Sequence, residues 1–196
     1  MERNLFFCVP DLHFPCIKES ATSTTGERAE LAGRRPSDLL RGAITLPWKS
    51  GGVVPDFLHH ASLALLVSEK ARGCLVLEES SSMALRQLVL VDGRKRTLRS
   101  DYWWVDVKEE HLILDEGRSV VERAGRAVLR IPEYRVDWRN VPALDLFVCR
   151  TTFALVVSSE FVQRYRFSSL TGASFASVDG GSWPARPRDP EKGATH

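Results

Sequence analysis

The sequence predicts an α+β fold: a single domain with a mostly antiparallel, meandering sheet, a few short helices, a long N-terminal loop and a disordered C-terminal tail. Two observations predict it. Residues 85–131 hold several short runs of apolar and β-branched residues separated by turn signals, which is typical of consecutive antiparallel strands. Two other apolar runs, Leu63–Val67 and Phe153–Val157, lead directly into short helical patterns, so helices accompany the sheet.

The composition is that of an ordinary globular protein. The chain has 196 residues, of which 43% are hydrophobic and 27% are charged. These proportions exclude a mostly disordered chain, a collagen and a coiled coil. The 27 basic and 25 acidic residues leave a net charge of +2, which is too balanced to indicate a nucleic-acid or membrane surface from bulk electrostatics. No apolar run approaches the roughly 18–20 residues that a membrane span requires.

The distribution of residues along the chain predicts one domain over 1–178 and a flexible tail over 179–196. A chain of this length corresponds to about one domain, and its last residues combine three prolines with no periodicity. The apolar stretch Leu5–Val9 is expected to form the first strand. Pro10 and Asp11 stop that stretch before a signal sequence can form, so we expect a cytoplasmic protein.

The remaining elements follow from local patterns. Residues 18–37 are small and polar and predict a long surface loop. Asp56 is expected to cap a short helix over residues 57–61, and Asp92-Gly93 is a strong turn signal between two strands. The expected strands of the middle and last thirds are Leu85–Val91, Tyr102–Val107, His111–Leu114, Ser119–Glu122, Ala127–Ile131, Leu144–Arg150 and Ser174–Val178.

Two segments of the sequence resemble each other. Leu63–Val67 is followed by Ser68, which is expected to cap a short helix that stops near Gly73. Phe153–Val157 is followed by Ser158, which is expected to cap a longer amphipathic helix. The apolar face of that second helix holds Phe161, Val162 and Tyr165. The likeness indicates either two related units or a chance recurrence of a common pattern.

No arrangement of residues demands catalysis, and we predict that the chain is not an enzyme and has no catalytic residue. A nucleophile needs an adjacent base and an orienting group, and no Gly-x-Ser-x-Gly motif is present. Cys16 lies three residues from His13, with Asp11 nearby. A small cysteine-dependent hydrolase is therefore the enzymatic alternative, and a loop of ordinary polar and buried side chains is the other interpretation of these residues.

No metal site and no cofactor are predicted. Cys8, His13 and Cys16 offer three ligands without the close cysteine spacing of a structural zinc site. The adjacent His59 and His60 would point about 100° apart on a helix, and neither glycine-rich phosphate motif occurs. The cysteines are expected to be buried free thiols: Cys8, Cys16, Cys74 and Cys149.

Positive charge is concentrated after the turn at Asp92-Gly93. Arg94, Lys95 and Arg96 follow it directly, and Arg99 lies just beyond. A hairpin tip with four cations would suit nucleic acid or an acidic partner. The alternative is a solvated turn without a ligand.

Aromatic residues in the next strand form a second candidate surface. Strand alternation places Tyr102 and Trp104 on the face opposite to Trp103 and Val105. The Trp103 face is expected to be core, and the other face is expected to be exposed or covered by a helix. If Tyr102 and Trp104 are exposed, they are the best candidates for interface anchors, because Tyr and Trp dominate protein-interface hot spots. Burial of both aromatic residues is the alternative. An acidic edge would lie beside them, formed by Asp106, Glu109 and Glu110.

Six segments occur in a recognisable order: Pro55–Leu58, Leu66–Ala71, Asp101–Val107, Leu144–Phe147, Val156–Phe161 and Leu170–Phe175. With these segments in this order, the chain resembles immunity protein family eleven of bacterial polymorphic toxin systems over about residues 50–178. That family was formerly called a domain of unknown function. The resemblance implies a small cytoplasmic protein that binds and blocks the effector domain of a toxin encoded beside it. It carries over no catalytic residue.

The expected function is therefore stoichiometric neutralisation of a cognate toxin protein, with no membrane partner. A cysteine-dependent hydrolase and a nucleic-acid-binding module that uses the Arg94–Arg96 turn are the alternatives. The expected toxin-binding residues are Tyr102, Trp104, Asp106, Glu109, Glu110, Arg94 and Arg96.

Overall fold

The structure is a computed structural model that describes residues 4–11, 43–45, 53–59, 65–92, 94, 96–125 and 127–184. The predicted α+β class is confirmed: these residues form two α-helices and many strands, most of which pair antiparallel. The predicted loop over 18–37 lies outside the described residues.

The strands are β1 (Leu5–Pro10), β2 (Ala43–Thr45), β3 (Phe57–His59), β4 (Leu65–Ser68), β5 (Met83–Val91), β6 (Thr97–Val107), β7 (Glu110–His111), β8 (Val120–Ala124), β9 (Ala127–Glu133), β10 (Leu146–Cys149), β11 (Leu155–Ser158) and β12 (Ala173–Ser177). The helices are α1 (Glu69–Cys74), α2 (Ser159–Phe167) and a single 3-10 turn at Trp138–Asn140.

The chain divides into two compact units. The first unit contains Met1–Asp11, Glu109–Gln163 and Ala173–His196, and the second contains Leu12–Lys108 and Arg164–Gly172. One domain over residues 1–178 stays a prediction, because compactness alone does not show whether each unit folds by itself.

The second unit is built on a five-stranded sheet in the order β2-β5-β6-β4-β3. All neighbours are antiparallel except β2 and β5. Both faces of its central strands are buried. One face carries Leu58, Leu66, Leu88, Leu90, Tyr102 and Trp104, and alternating positions on the other face carry Phe57, Leu65, Val67 and Val105.

The first unit is built on another five-stranded sheet, in the order β12-β1-β11-β10-β7. Only β7 and β10 are parallel. The core of this unit contains Leu5, Phe7, Ile113, Leu114, Ile131, Tyr134, Val136, Phe147, Cys149, Val156 and Val178. The β8–β9 hairpin forms a separate two-stranded ribbon.

The same buried Ser–Asp arrangement starts both helices. The Ser68 hydroxyl donates to Asp56 Oδ1 at 2.7 Å and accepts from the Ala71 amide at 3.1 Å, and the Ser68 amide donates to the Asp56 carbonyl at 2.9 Å. Ser158 makes the matching bonds. Its hydroxyl donates to Asp145 Oδ1 at 2.6 Å and accepts from the amide three residues later at 3.1 Å, and its own amide donates to the Asp145 carbonyl at 3.0 Å. Each serine thus caps a helix and also attaches it to the neighbouring strand.

Strand pairing around the two serines matches as well. The residue after each aspartate pairs with the residue before each serine, as Phe57 with Val67 and Leu146 with Val157. The antiparallel order β5-β6-β4-β3 in the second unit corresponds to β12-β1-β11-β10 in the first. Because β1 takes the place of β6 but begins the chain, the first unit has a circularly permuted strand order.

The helices also end alike. The Leu77 amide donates to the Arg72 carbonyl at 3.0 Å, and the Leu170 amide donates to the Tyr165 carbonyl at 3.2 Å. Both are the six-to-one bond of a Schellman cap, and the preceding Val76 and Ser169 have left-handed φ values of 55° and 48°. The likeness covers caps, register and strand order, so the structure favours internal repetition over a chance recurrence.

The predicted helix over residues 57–61 is wrong where the structure describes it. Phe57–His59 forms β3, and His60 lies outside the described residues. The Asp56 carboxylate accepts from Ser68 Oγ and, at 3.1 Å, from the Thr171 amide. Because these distant partners occupy the side chain, Asp56 does not cap the residues that follow it.

The predicted tail is wrong over its first residues, 179–184. Ile131 and Trp183 exchange two backbone hydrogen bonds, each 2.8 Å long. The Tyr134 amide donates to the Gly181 carbonyl, also at 2.8 Å, and Trp183 packs against the core of the first unit. The sequence signal failed because proline content does not exclude a strand-like edge contact.

The repeated Ser–Asp arrangement yields a stability prediction. Ser158→Ala and Ser68→Ala should each lower the free energy of unfolding by about 2 kcal/mol, because each removes a helix cap and leaves a carboxylate without its hydroxyl donor. Denaturant unfolding of the purified variants measures this. Ser100→Ala, an exposed serine on β6, is the control and should change stability by less than about 0.5 kcal/mol. Equal free energies of unfolding for all three variants would contradict the prediction.

Candidate protein-binding surface

Tyr102 and Trp104 are core residues, so the prediction that they are exposed interface anchors is wrong. Their exposed fractions are 0% and 3%. The Tyr102 hydroxyl donates to the Pro55 carbonyl, and burial raises the pKa of this phenol. Alternation correctly assigned the two faces of β6, but β6 is an internal strand whose two faces are both covered.

Trp103 is the half-buried aromatic residue of β6, and its polar atom is already used. Its indole Nε1 donates to the Glu69 carboxylate, and the Arg72 guanidinium lies 4.8 Å from the ring centroid. Arg72 also donates to Glu69 at 2.5 Å. The hydrogen bonds from Arg72 and then Trp103 lower the pKa of Glu69. This cluster fastens α1 to the sheet and is not available as a free anchor.

The predicted acidic edge is divided between the two units. Asp106 is half-buried in the second unit, whereas Glu109 and Glu110 belong to the first. Glu110 is exposed, and Glu109 Oε2 lies 3.3 Å from His111 Nε2. The structure does not bring these carboxylates together within one unit.

One buried carboxylate organises the predicted basic turn and pairs with one of its cations. Asp92, only 2% exposed, accepts from the amides of Arg94 and Arg96 and from Arg96 Nε, at 2.8–2.9 Å. These bonds, led by the Arg96 amide, lower the pKa of Asp92. Arg99 is paired with Asp101 at 2.6 Å. Arg94 and Arg96 are exposed as expected, and the ion pairs with Asp92 and Asp101 compensate Arg96 and Arg99.

The described cysteines are free thiols without the surroundings of a nucleophile. Cys8 and Cys149 are buried and Cys74 is half-buried, which confirms the expectation for the two buried residues. Burial raises the pKa of Cys8 to about 12, so this thiol is protonated at neutral pH. The Cys149 sulfur lies 3.3 Å from the Tyr134 hydroxyl. His13 and Cys16 lie outside the described residues.

Within the described ranges, no three metal-ligating side chains come together as a possible metal site. In the same part of the chain, no helix is both long and apolar enough to cross a membrane.

Exposed apolar side chains collect at one end of the first unit. Leu112 is 52% exposed, Trp138 43% and Phe153 55%. Sequence analysis did not select them: Leu112 and Phe153 belong to apolar runs that predict strands, and Trp138 is a single aromatic residue between charged neighbours. We call these three residues, together with the exposed Arg150, the Trp138 surface.

Backbone pairing brings this surface together. Leu114 and Val136 form an antiparallel bridge. Leu112 and Trp138 each lie two residues from this bridge, so they lie at the same end of it. The Arg150 amide donates to the carbonyl of His111, the neighbour of Leu112, at 2.9 Å. The Phe153 amide donates to the Cys149 carbonyl at 2.7 Å, which places Phe153 in the turn that follows β10.

The turn at Trp138 is held rigidly by Asp137. This carboxylate accepts from the Arg139 amide at 3.2 Å, from Arg139 Nε at 2.9 Å and from Asn140 Nδ2 at 3.1 Å. The hydrogen bonds from Arg139 lower the pKa of Asp137. The Asp137 amide donates to the Ile113 carbonyl at 2.9 Å. Trp138 is therefore presented to solvent from a fixed backbone.

Phe153 has a backbone conformation that phenylalanine rarely adopts. Its φ is 54°, in the left-handed region where a residue other than glycine costs about 1–2 kcal/mol. The Cys149 amide donates to the Ala154 carbonyl at 2.9 Å and closes this hairpin turn. Glycine is the usual residue at such a position, so an exposed phenylalanine here reduces stability and gains little burial in return.

Comparison with known proteins adds no assignment: no protein-family model matches the chain, and no curated protein matches it.

The burial of Trp104 yields a stability prediction. Trp104→Ala should lower the free energy of unfolding by about 3–5 kcal/mol, because it opens a cavity in the core of the second unit. Trp138→Ala is the comparison and should lower stability by less, about 1–2 kcal/mol, because that residue is 43% exposed. Thermal and urea unfolding of both variants measure the difference. A Trp104 variant as stable as the Trp138 variant would contradict the assignment of Trp104 to the core.

The lowered pKa of Asp92 predicts how stability depends on pH. A carboxyl whose pKa is lower in the folded state than its usual 3.8 stabilises the fold above that pH, and the contribution is lost as the pH falls through the folded value. Wild type should therefore exceed Asp92→Asn in stability by a constant margin from pH 7 to about 5. The margin should shrink below about pH 4.

Urea unfolding of both proteins across this pH range measures the margin. Arg96→Met keeps the backbone hydrogen bonds to Asp92, so it should lose only part of the pH dependence. A margin that grows as the pH falls would contradict the prediction.

Proposed function

We propose that this protein is a bacterial immunity protein that binds a cognate toxin effector domain and neutralises it by stoichiometric protein–protein interaction. The observation that carries the proposal is the Trp138 surface, an exposed aromatic and aliphatic group on a rigid turn. Tryptophan, tyrosine and arginine supply most of the binding energy in protein interfaces. The resemblance to immunity protein family eleven supplies the class of partner.

The segments that carry the resemblance are structural. Pro55–Leu58 with Leu66–Ala71, and Leu144–Phe147 with Val156–Phe161, are the two copies of the Ser–Asp hairpin and its helix. Such segments preserve a scaffold, while the exposed residues around it select the partner. The proposal therefore takes the partner class from the resemblance and the mode of binding from the surface.

The ordered turn at Trp138 suits binding of a protein partner. An interface of standard size buries roughly 1,200–2,000 Å², and the Trp138 surface would form its apolar centre. The carboxylate of Asp137 fixes the turn at Trp138 before binding, so little backbone entropy is lost in the complex. An immunity protein acts by occupying the toxin, and it needs no turnover chemistry of its own.

Co-expression tests this function. The chain is expressed with the C-terminal domain of the large protein encoded by the adjacent gene, and bacterial growth is measured with and without it. We expect restored growth and a one-to-one complex of the purified proteins by light scattering and calorimetry. An adjacent gene that encodes no toxic domain, or a toxic domain that the chain neither binds nor counteracts, would overturn the proposal.

Two controls separate the alternatives. Cys16→Ala should protect as well as wild type does, and loss of a measurable hydrolase activity in this variant would favour the cysteine-dependent hydrolase. Direct binding to DNA or RNA that weakens steeply with salt would favour a nucleic-acid-binding module at Arg94 and Arg96. We expect neither result, because Asp92 already compensates Arg96.

A further inference from the structure

We propose that the toxin domain docks on the Trp138 surface, with Trp138 and Phe153 as apolar anchors and Arg150 facing a carboxylate of the toxin. This inference rests on the proposed function and names the surface that performs it. It replaces the sequence-based choice of Tyr102 and Trp104, which are buried in the core.

Backbone hydrogen bonds link the chain segments that carry the anchors. Leu112 and Trp138 extend the ladder that pairs Leu114 with Val136, and Arg150 is bonded through its amide to the residue before Leu112. All four side chains of the Trp138 surface belong to the first unit. A partner that covers Trp138 therefore reaches Leu112 and Arg150 without any rearrangement of this unit.

The left-handed φ of Phe153 is an independent argument for a binding role. Glycine would relieve the strain at this turn, yet the chain has a bulky aromatic residue there, with 55% of its surface exposed. Strained backbone at exposed positions concentrates at functional sites. A residue that lowers stability and gains little burial is explained when a partner completes its burial.

Charge specifies the chemistry of the partner. Arg150 is exposed and forms no ion pair with any residue in the described part of the chain, whereas the neighbouring Arg139 is held by Asp137. A guanidinium beside an apolar centre binds a carboxylate most strongly, because it can donate two parallel hydrogen bonds. The occupant is thus a protein surface with an apolar depression bordered by an acidic residue.

Val76 is also exposed, at 62%, with a left-handed φ, but the Schellman cap of α1 accounts for its conformation. Leu129 and Phe167 lack the combination of exposure and left-handed φ. Leu129 is 59% exposed on β9, but it lies beside the charged residues of the β8–β9 ribbon. Phe167 is 93% exposed at the end of α2, in the second unit, and its backbone φ is not in the left-handed region. Leu129 therefore serves as a control residue outside the Trp138 surface.

Calorimetric titration with the toxin domain of the adjacent gene, inactivated by mutation, tests the inference. Trp138→Ala, Phe153→Gly and Arg150→Glu should each raise Kd at least about tenfold. Leu129→Ala and Ser169→Gly, which relieves a left-handed φ in the second unit, should stay within about twofold of wild type. Phe153→Gly should melt at the same temperature as wild type or higher, since glycine removes the strain.

The outcomes separate the two proposals. If wild type does not bind the toxin domain, the proposed function fails. If wild type binds and the three surface variants bind equally well, the toxin docks elsewhere and this inference alone fails. A lower melting temperature for Phe153→Gly would overturn the role of Phe153. A wild-type dimer that Trp138→Ala converts to a monomer would assign the surface to self-association and also overturn the inference.

Discussion

The hydrogen bond between a buried serine hydroxyl and a half-buried aspartate carboxylate is the interaction on which both units depend. Ser68 ends β4 and bonds to Asp56, the residue before β3, and Ser158 ends β11 and bonds to Asp145, the residue before β10. Each serine thus connects two paired strands, and it also accepts from an amide in the first turn of a helix. A single hydroxyl that both donates and accepts leaves no buried polar atom of the cap without a partner. It also fixes where the helix leaves the sheet. The repeated arrangement explains why two units of different strand connectivity share one antiparallel order.

The scaffold of the first unit fixes the backbone of the proposed Trp138 surface. Val136, next to the Trp138 turn, donates its amide to Asp179 Oδ1 at 2.9 Å and accepts from Arg118 at 3.0 Å. The turn is thereby joined to the chain beyond β12 and to the segment before β8. Because the backbone is already ordered, a partner that binds there pays mainly for side-chain ordering and desolvation. In the proposed binding mode, the groups that order the Trp138 turn lie next to the side chains that would contact the partner.

Electrostatics in this protein is mostly local. Aspartates in turns pair with arginines a few residues later, as Asp92 with Arg96, Asp115 with Arg118 and Asp137 with Arg139. Such pairs order the turns and cancel each other's field at a distance, which agrees with a net charge of only +2. In the proposed complex, recognition would therefore depend on a few uncompensated groups and exposed rings, with little contribution from long-range attraction.

The sequence by itself determined the elements whose signals are local. Both serine caps follow from the spacing of serine, glutamate and an apolar run, and most strands follow from alternation and turn residues. Only the tertiary structure decided which faces are covered. Alternation assigns Tyr102 and Trp104 to one face, but the packing of the second unit buries both faces of β6. The partner of Asp56 lies 115 residues away at Thr171, and the Trp138 surface joins segments far apart in the chain. Burial and long-range pairing depend on how distant segments meet, and no local pattern of residue types records that.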